Sequence, residues 1–285
     1  MKLAISGEQL AATHSLRELL DVVERFGVDA VELWPTNLSG GATEEERERY
    51  ETKAVAEAAA LLRERGIAVA SVALGFMALP ICLARAGTGA CTEALQGAVD
   101  AALTLGAPVV NCYMVSMRTD AFVAAMKPAA TYAAERGVVI TLENEAHDQS
   151  GLAQNVASIV RAVDSPGFAT QYDPCNYYHA CQEAYPDAYE VLHPYIRSIH
   201  LKGGCLYRED RPGVHRGSHM RGSKTDQIGY LPLPEAAFPT TAILNRLVRD
   251  GYDGYVTLEP HVAPEAVIGF YEEEIPFVQS FLNGV

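Results

Sequence analysis

Residues 131–143 read TYAAERGVVITLE: a helical stretch, an Arg-Gly break at 136–137, a run rich in β-branched residues, and a glutamate at its end. A glycine just past a helix relieves the left-handed geometry of the cap, after which a strand can begin. The same unit recurs along the chain. Helical stretches such as SLRELLDVVERFG (15–27) and TKAVAEAAALLRERG (52–66) end on glycine, as do those closing at Leu105-Gly106 and Asp250-Gly251. The candidate strands are Lys2–Ser6, Asp29–Trp34, Ala68–Leu74, Pro108–Tyr113, Val138–Glu143, Ala169–Asp173, Ile196–Leu201 and Tyr255–Glu259. Strand and helix in strict alternation imply parallel strands with right-handed crossovers. A count of eight, with no GxGxxG loop after the first strand, favours a closed α/β (β/α)8 barrel over an open doubly wound sheet.

At 285 residues the chain suits a single barrel spanning 1–285, and no linker divides it. Hydrophobic residues make up 49% and charged residues 20%, enough for an ordinary core. The net charge of −14 disfavours general binding to nucleic acid. No apolar run approaches the roughly 18 residues of a membrane span, and the start MKLAISGEQL turns polar too early for a secretion signal. A cytoplasmic protein is expected. Six cysteines without a CxxC pair read as free thiols, with Cys175 and Cys181 flanking a segment of functional character. One stretch breaks the rhythm. Residues 203–239, after the seventh strand, are too long for an ordinary connection and carry Arg208, Arg211, His215, Arg216, His219, Arg221 and Lys224. They are expected to form a lid or subunit contact that brings positive charge over an acidic site.

Active sites of such barrels lie at the carboxyl ends of the strands. There the sequence puts Glu32, Asn111, Glu143, Asp173, His200 and Glu259. Any one of these is commonly a helix cap or a solvated loop residue. Glu143, Asp173, His200 and Glu259 come from consecutive strands and would converge. Three packed carboxylates repel unless a cation lies among them, and oxygen ligands with one imidazole suit Mn²⁺, Mg²⁺ or Co²⁺.

The segments LENEAH (142–147), YDPCN (172–176), IHLKG (199–203) and GYDGYVTLEPH (251–261) resemble the sugar phosphate isomerase/epimerase superfamily of xylose isomerase-like TIM barrels. The likeness follows the order of most of the chain. It implies that Glu143, Asp173, His200 and Glu259 hold one divalent ion, Mn²⁺ foremost, with Mg²⁺, Co²⁺ or Zn²⁺ as substitutes. It also implies proton abstraction beside the carbonyl of a sugar, keto-sugar or cyclitol, with Glu143 and Glu259 serving as acid and base as well as ligands, and a homo-oligomeric assembly. The ketose epimerases of the superfamily carry a histidine where Asn176 stands and a glutamate where Gln149 stands, two substrate-contacting positions. Their change argues against a free ketohexose.

Other residues join the candidate site. His147, four past Glu143, is a candidate general base. Lys202, on the same side of its strand as His200, is a candidate for holding a substrate oxygen or for a salt bridge to the acids. Glu32 touches substrate or pairs with Lys202. Trp34, Phe76, Tyr113 and Tyr178 are candidates for an apolar wall, and His179 and His261 read as structural. The leading reading is a metal-dependent isomerase or epimerase; the runner-up is a lyase of the inosose dehydratase or 3-keto-glycoside-cleaving kind on the same site. A non-catalytic binding subunit, and a DNA endonuclease needing more histidines, rank below both.

Overall fold

A computed structural model describes residues 1–28, 30–38, 48–222 and 226–282, without the side chain of His219. Eight parallel strands close into a barrel in the order β1 (Lys2–Ser6), β2 (Ala30–Leu33), β3 (Ala68–Ala73), β4 (Val109–Cys112), β5 (Val139–Glu143), β6 (Phe168–Tyr172), β7 (Ile196–Leu201) and β11 (Tyr255–Leu258), the last pairing with β1. Each expected strand is present with its ends within a residue or two. Asp29, where the second strand was expected to begin, and Lys224 lie outside the described residues.

The punctuation read from the sequence is physical. Gly27, Gly66, Gly106, Gly137 and Gly251 all adopt positive φ between a helix and a strand. The first helix, Leu16–Arg25, is opened by a reciprocal cap between Ser15 and Glu18. Between barrel and helices lies the main core, which includes Ile5, Val31, Val72, Val110, Ile140, Leu142, Ile199, Leu201 and Leu258, all at or below 1% exposure.

Inside the barrel the residues stack in layers, because a strand sends alternate side chains to the same face. One layer is small and apolar, built from Ala4, Ala30 and Ala70. Nearer the mouth the inward positions turn polar: Ser6, Glu32, Ser71, Asn111, Thr141, Gln171, Ser198 and Thr257 are all buried. The next inward steps are Glu143, Asp173, His200 and Glu259.

The 203–239 stretch folds as a three-stranded antiparallel sheet, β8 (Gly204–Leu206), β9 (His215–Arg221) and β10 (Asp226–Tyr230), with β10 central. It is pinned to the barrel where Gly222 N–H donates to His179 O and Arg221 Nε donates to Tyr178 O. The described residues it brings to the mouth are Ile228 and Tyr230 rather than arginines. Arg211 instead pairs with Glu235, and Arg216 reaches Gln227.

Candidate metal centre and its cavity

Glu143, Asp173, His200 and Glu259 each contribute one ligand-type atom to a group whose atoms all lie within 4.8 Å of one another, and all four residues are buried. Asp173 owes its aim to the helix it opens. Pro174 follows it, its Oδ1 accepts from Asn176 N–H at 2.9 Å, and Oδ2 is left facing the group. Asn144 locks the ends of β5 and β6 together, donating to Asp173 O and accepting from Asp173 N–H, both at 2.9 Å.

His200 shows how the group suits a cation. Its Nε2 donates to Glu32 Oε2 at 2.9 Å. Its Nδ1 is buried without a hydrogen-bond partner among the described residues, 3.2 Å from Glu259 Oε2 and 3.5 Å from Glu143 Oε2. A buried ring nitrogen aimed at two carboxylate oxygens calls for positive charge between them, either a proton on Nδ1 or an ion that displaces it, and three carboxylates with one imidazole form a donor set for a divalent metal. Burial alone would drive the imidazole to its neutral form, but Glu259, Glu32 and Glu143 outweigh it and hold the ring's pKa well above its ordinary value.

Glu32 neither touches the cavity nor pairs with Lys202. Ser6 and Trp34 Nε1 donate to its Oε1, while Ser71, Asn111 and His200 donate to Oε2. Asn111 in turn accepts from Thr141 Oγ1, so it too is a support within the barrel rather than part of the cavity lining. A second chain runs Ser198 to Gln171 to Glu143, the last bond 2.6 Å from Gln171 Nε2 to Glu143 Oε2. Carboxylates that orient a ligand imidazole tune both its tautomer and its basicity.

Lys202 is the group's internal cation. Its Nζ is 2.6 Å from Asp173 Oδ2, 2.8 Å from Glu259 Oε2 and 4.0 Å from Glu143 Oε1. Burial would discharge it, but those carboxylates dominate and keep it charged. Glu259 responds in kind: burial would favour its acid form, yet His200, Lys202 and His261 hold its pKa well below the usual range. In Glu143 burial prevails over His200 and raises the pKa.

Beside this group opens a cavity of about 250 Å³. Its lining includes the expected Glu143, Glu259, Lys202, His147, Asn176 and Trp34, together with Phe76 and Tyr113. Asn176 donates to Glu143 Oε1 at 3.3 Å and to Asn144 O at 2.9 Å. Gln149 is not brought there; it is exposed and accepts from Thr119 Oγ1. Tyr178 also lies off the cavity, packed against Phe238 and under the Arg221 guanidinium.

His179 and His261, read from sequence as structural, do line the cavity. His261 stands two residues past Glu259, on the same side by strand alternation, and lies 3.1 Å from Glu259 Oε2. His179 is one helical step from Asn176 and packs against the Cys175 thiol and the Tyr230 ring. The sequence reading also missed Glu8 and Glu145. Both line the cavity, and burial followed by a neighbouring carboxylate raises each pKa, that of Glu8 to about 8. Glu145, two residues past Glu143, was legible by the same alternation; Glu8, in the loop after β1, had no such signal.

Fold and site together define a TIM barrel with a buried acid–imidazole group, able to hold a metal ion, at the carboxyl ends of its strands. The chain belongs to the xylose isomerase-like TIM barrel family, whose model matches residues 20–279. No curated protein matches the sequence. Among solved structures it is similar to the probable 3-DHS dehydratase AsbF of Bacillus anthracis, at 15% identity and TM-score 0.68 with 100% of each chain covered. It is similar to an L-ribulose 3-epimerase, at 14% identity and TM-score 0.72 with 99% of this chain and 95% of that one covered. It is also similar to the IOLI protein solved with a zinc atom, at 18% identity and TM-score 0.69 with 100% of each covered. At such identities these likenesses speak to the fold. No described helix is long and apolar enough to cross a membrane.

Proposed function

We propose that this protein is a divalent-metal-dependent isomerase or epimerase of a sugar, keto-sugar or cyclitol, working by proton transfer beside a carbonyl. The observation that carries the reading is the buried Glu143–Asp173–His200–Glu259 set, with His200 Nδ1 unpartnered, next to a cavity. These four residues would hold the ion, Mn²⁺ by preference of the donor set, and when bound it supplies Lewis-acid stabilisation of charge developing on the substrate carbonyl oxygen. Glu143 and Glu259 line the cavity and exchange protons with the adjacent carbon from its two faces. Lys202, held between Asp173 and Glu259, orients a substrate oxygen; Asn176 and Trp34 bound the bed on which the substrate lies. The 203–239 sheet acts as the lid.

The second reading is a lyase, in which His147 takes the proton and a group on the next carbon departs. It is favoured by one observation: His147 lines the cavity, while Gln149, where the epimerases have a substrate-contacting glutamate, does not. Six free cysteines agree with a reducing cytoplasm, and a homo-oligomer is expected from the family resemblance.

Incubating the Mn²⁺-loaded protein with keto-sugars in D₂O tests both. Deuterium incorporation with an isomeric product supports the first reading, and release of water or an aglycone supports the second. Absence of exchange and of turnover across keto-sugars and inososes would remove both.

A further inference from the structure

The barrel mouth is divided in two. The candidate metal group stands on β5, β6, β7 and β11, whereas the residues after β2, β3 and β4 supply aromatic rings. Trp34 stacks on Tyr113 at 5.7 Å with 20° between planes, and Phe76 leans on Tyr113 at 5.2 Å. Across the barrel from β3, the lid hairpin contributes Ile228 and Tyr230 to the same cavity. A sugar ring meets such surfaces only with its C–H faces, and each hydroxyl at its rim left without a partner costs about 1–3 kcal/mol. A planar ring with little to hydrogen-bond meets no such penalty, and ring-on-ring packing favours it.

Three observations mark this half as built for a ligand. The Tyr113 hydroxyl is buried and has no hydrogen-bond partner among the described residues. Phe76 lines the cavity while 40% exposed, so its ring stands at the rim within reach of an incoming ligand. The chain leaves Tyr113 through Val115 and Ser116, both lining the cavity, with φ of 33° and 60°. L-residues avoid that region, a β-branched valine most of all, and such backbone conformations gather where a site imposes them.

We infer that the Trp34–Tyr113–Phe76 face is a subsite for an aromatic substituent, so that the substrate is a keto-sugar bearing an aryl group, its sugar part over the carboxylates and its ring against the aromatic face. The keto-sugar half rests on the function proposed above; the aryl half rests on the rings themselves. Tyr113 Oη offers its proton to one acceptor on the bound ring, and the exposed Phe76 covers the end nearest solvent.

Trp34 is the chain's one tryptophan, so its emission reports this face directly. Titration with phenyl β-D-glucopyranoside is expected to change that emission, with a dissociation constant at least about tenfold lower than for methyl β-D-glucopyranoside. Phe76→Leu, which keeps an apolar side chain at an exposed position, should weaken the phenyl compound roughly threefold to tenfold and leave the methyl compound unchanged. Equal binding of the two glycosides would show that the rings receive a bare sugar face, and no response to either would show that they receive neither. Either result overturns the inference, as does an equal loss for both compounds in Phe76→Leu. The readout needs no turnover, so its failure is distinct from failure of the deuterium-exchange test of the reaction.

Discussion

Replacing Glu32 by glutamine tests whether the barrel interior, rather than the mouth, governs metal affinity. Glu32 is fully buried and accepts five hydrogen bonds: two at Oε1 (Ser6 at 3.1 Å, Trp34 at 3.2 Å) and three at Oε2 (Ser71 at 2.7 Å, Asn111 at 2.6 Å, His200 at 2.9 Å). All five partners approach as donors, so a glutamine must turn an NH₂ toward one side or the other. With its oxygen toward His200, the amide nitrogen faces Ser6 and Trp34, so Trp34 Nε1 loses one acceptor and keeps Ser6 Oγ at 3.2 Å. With its nitrogen toward His200, the Asn111 amide and His200 Nε2 face it as donors, and only the Ser71 hydroxyl can turn to accept. The first arrangement is the cheaper, and it still removes the negative charge that keeps the proton on Nε2 and leaves Nδ1 for the ion. Loss of such an outer partner costs typically 10- to 100-fold in metal affinity, or about 1.4–2.7 kcal/mol. The expected result is Mn²⁺ binding weakened within that range by calorimetric titration, in a variant whose thermal unfolding with chelator remains cooperative. Unchanged affinity would refute the reasoning and show that Glu32 only fills space.

Three further outcomes are expected. Glu143→Gln and Glu259→Gln should each abolish deuterium exchange from substrate while still binding Mn²⁺, more weakly; full exchange in either would remove that residue from the proton path. Lys202→Met leaves Asp173 and Glu259 without their buried partner, so with chelator it should lose roughly 3–5 kcal/mol of stability in urea melts, partly restored by Mn²⁺; equal stability would make the ammonium dispensable. Glu274, fully buried with its Oε1 accepting from Leu233 N–H, has its pKa raised by burial to about 8 from the ordinary 4.5. Between those values the folded chain keeps a proton that the unfolded chain has released. Its contribution to stability therefore falls as pH rises through that window and levels off above it. Glu274→Gln should remove the penalty, about 3 kcal/mol at pH 7 and near zero at pH 4; a difference that does not vary with pH would contradict it.

The barrel and the four-residue group were legible because both rest on period-two and strand–helix alternation, which the chain displays openly from TYAAERGVVITLE to GYVTLE. Glu143, Asp173, His200 and Glu259 announce themselves as polar residues ending apolar runs. What escaped were residues whose role depends on partners distant in sequence. Glu32 looked like a cavity residue because it also ends a strand, yet its register opposite Ser6 and Ser71 sets it one inward step below the layer of Glu143, where it meets Asn111 and His200. Glu8 sits in a loop with no periodic signal, and burial beside Glu259 gives it its character. Gln149 was drawn in by the epimerase glutamate at its position and Tyr178 by its aromatic ring; a 3-10 turn at Gln149–Gly151 and the docking of Arg221 on Tyr178 take them elsewhere. The 203–239 stretch read from composition as a basic lid or subunit contact, whereas the hairpin register delivers Ile228 and Tyr230 to the cavity.

The central claim is that one ion sits among Glu143, Asp173, His200 and Glu259, and an anomalous difference map at the manganese edge from crystals grown with Mn²⁺ tests it most directly. A single peak should appear among these four side chains, about 2.0–2.3 Å from His200 Nδ1 and one oxygen of each carboxylate. Glu8, Glu259 and His261 form the other described cluster of ligand-type atoms. A peak there instead, or no peak at the four-residue group, would contradict the account.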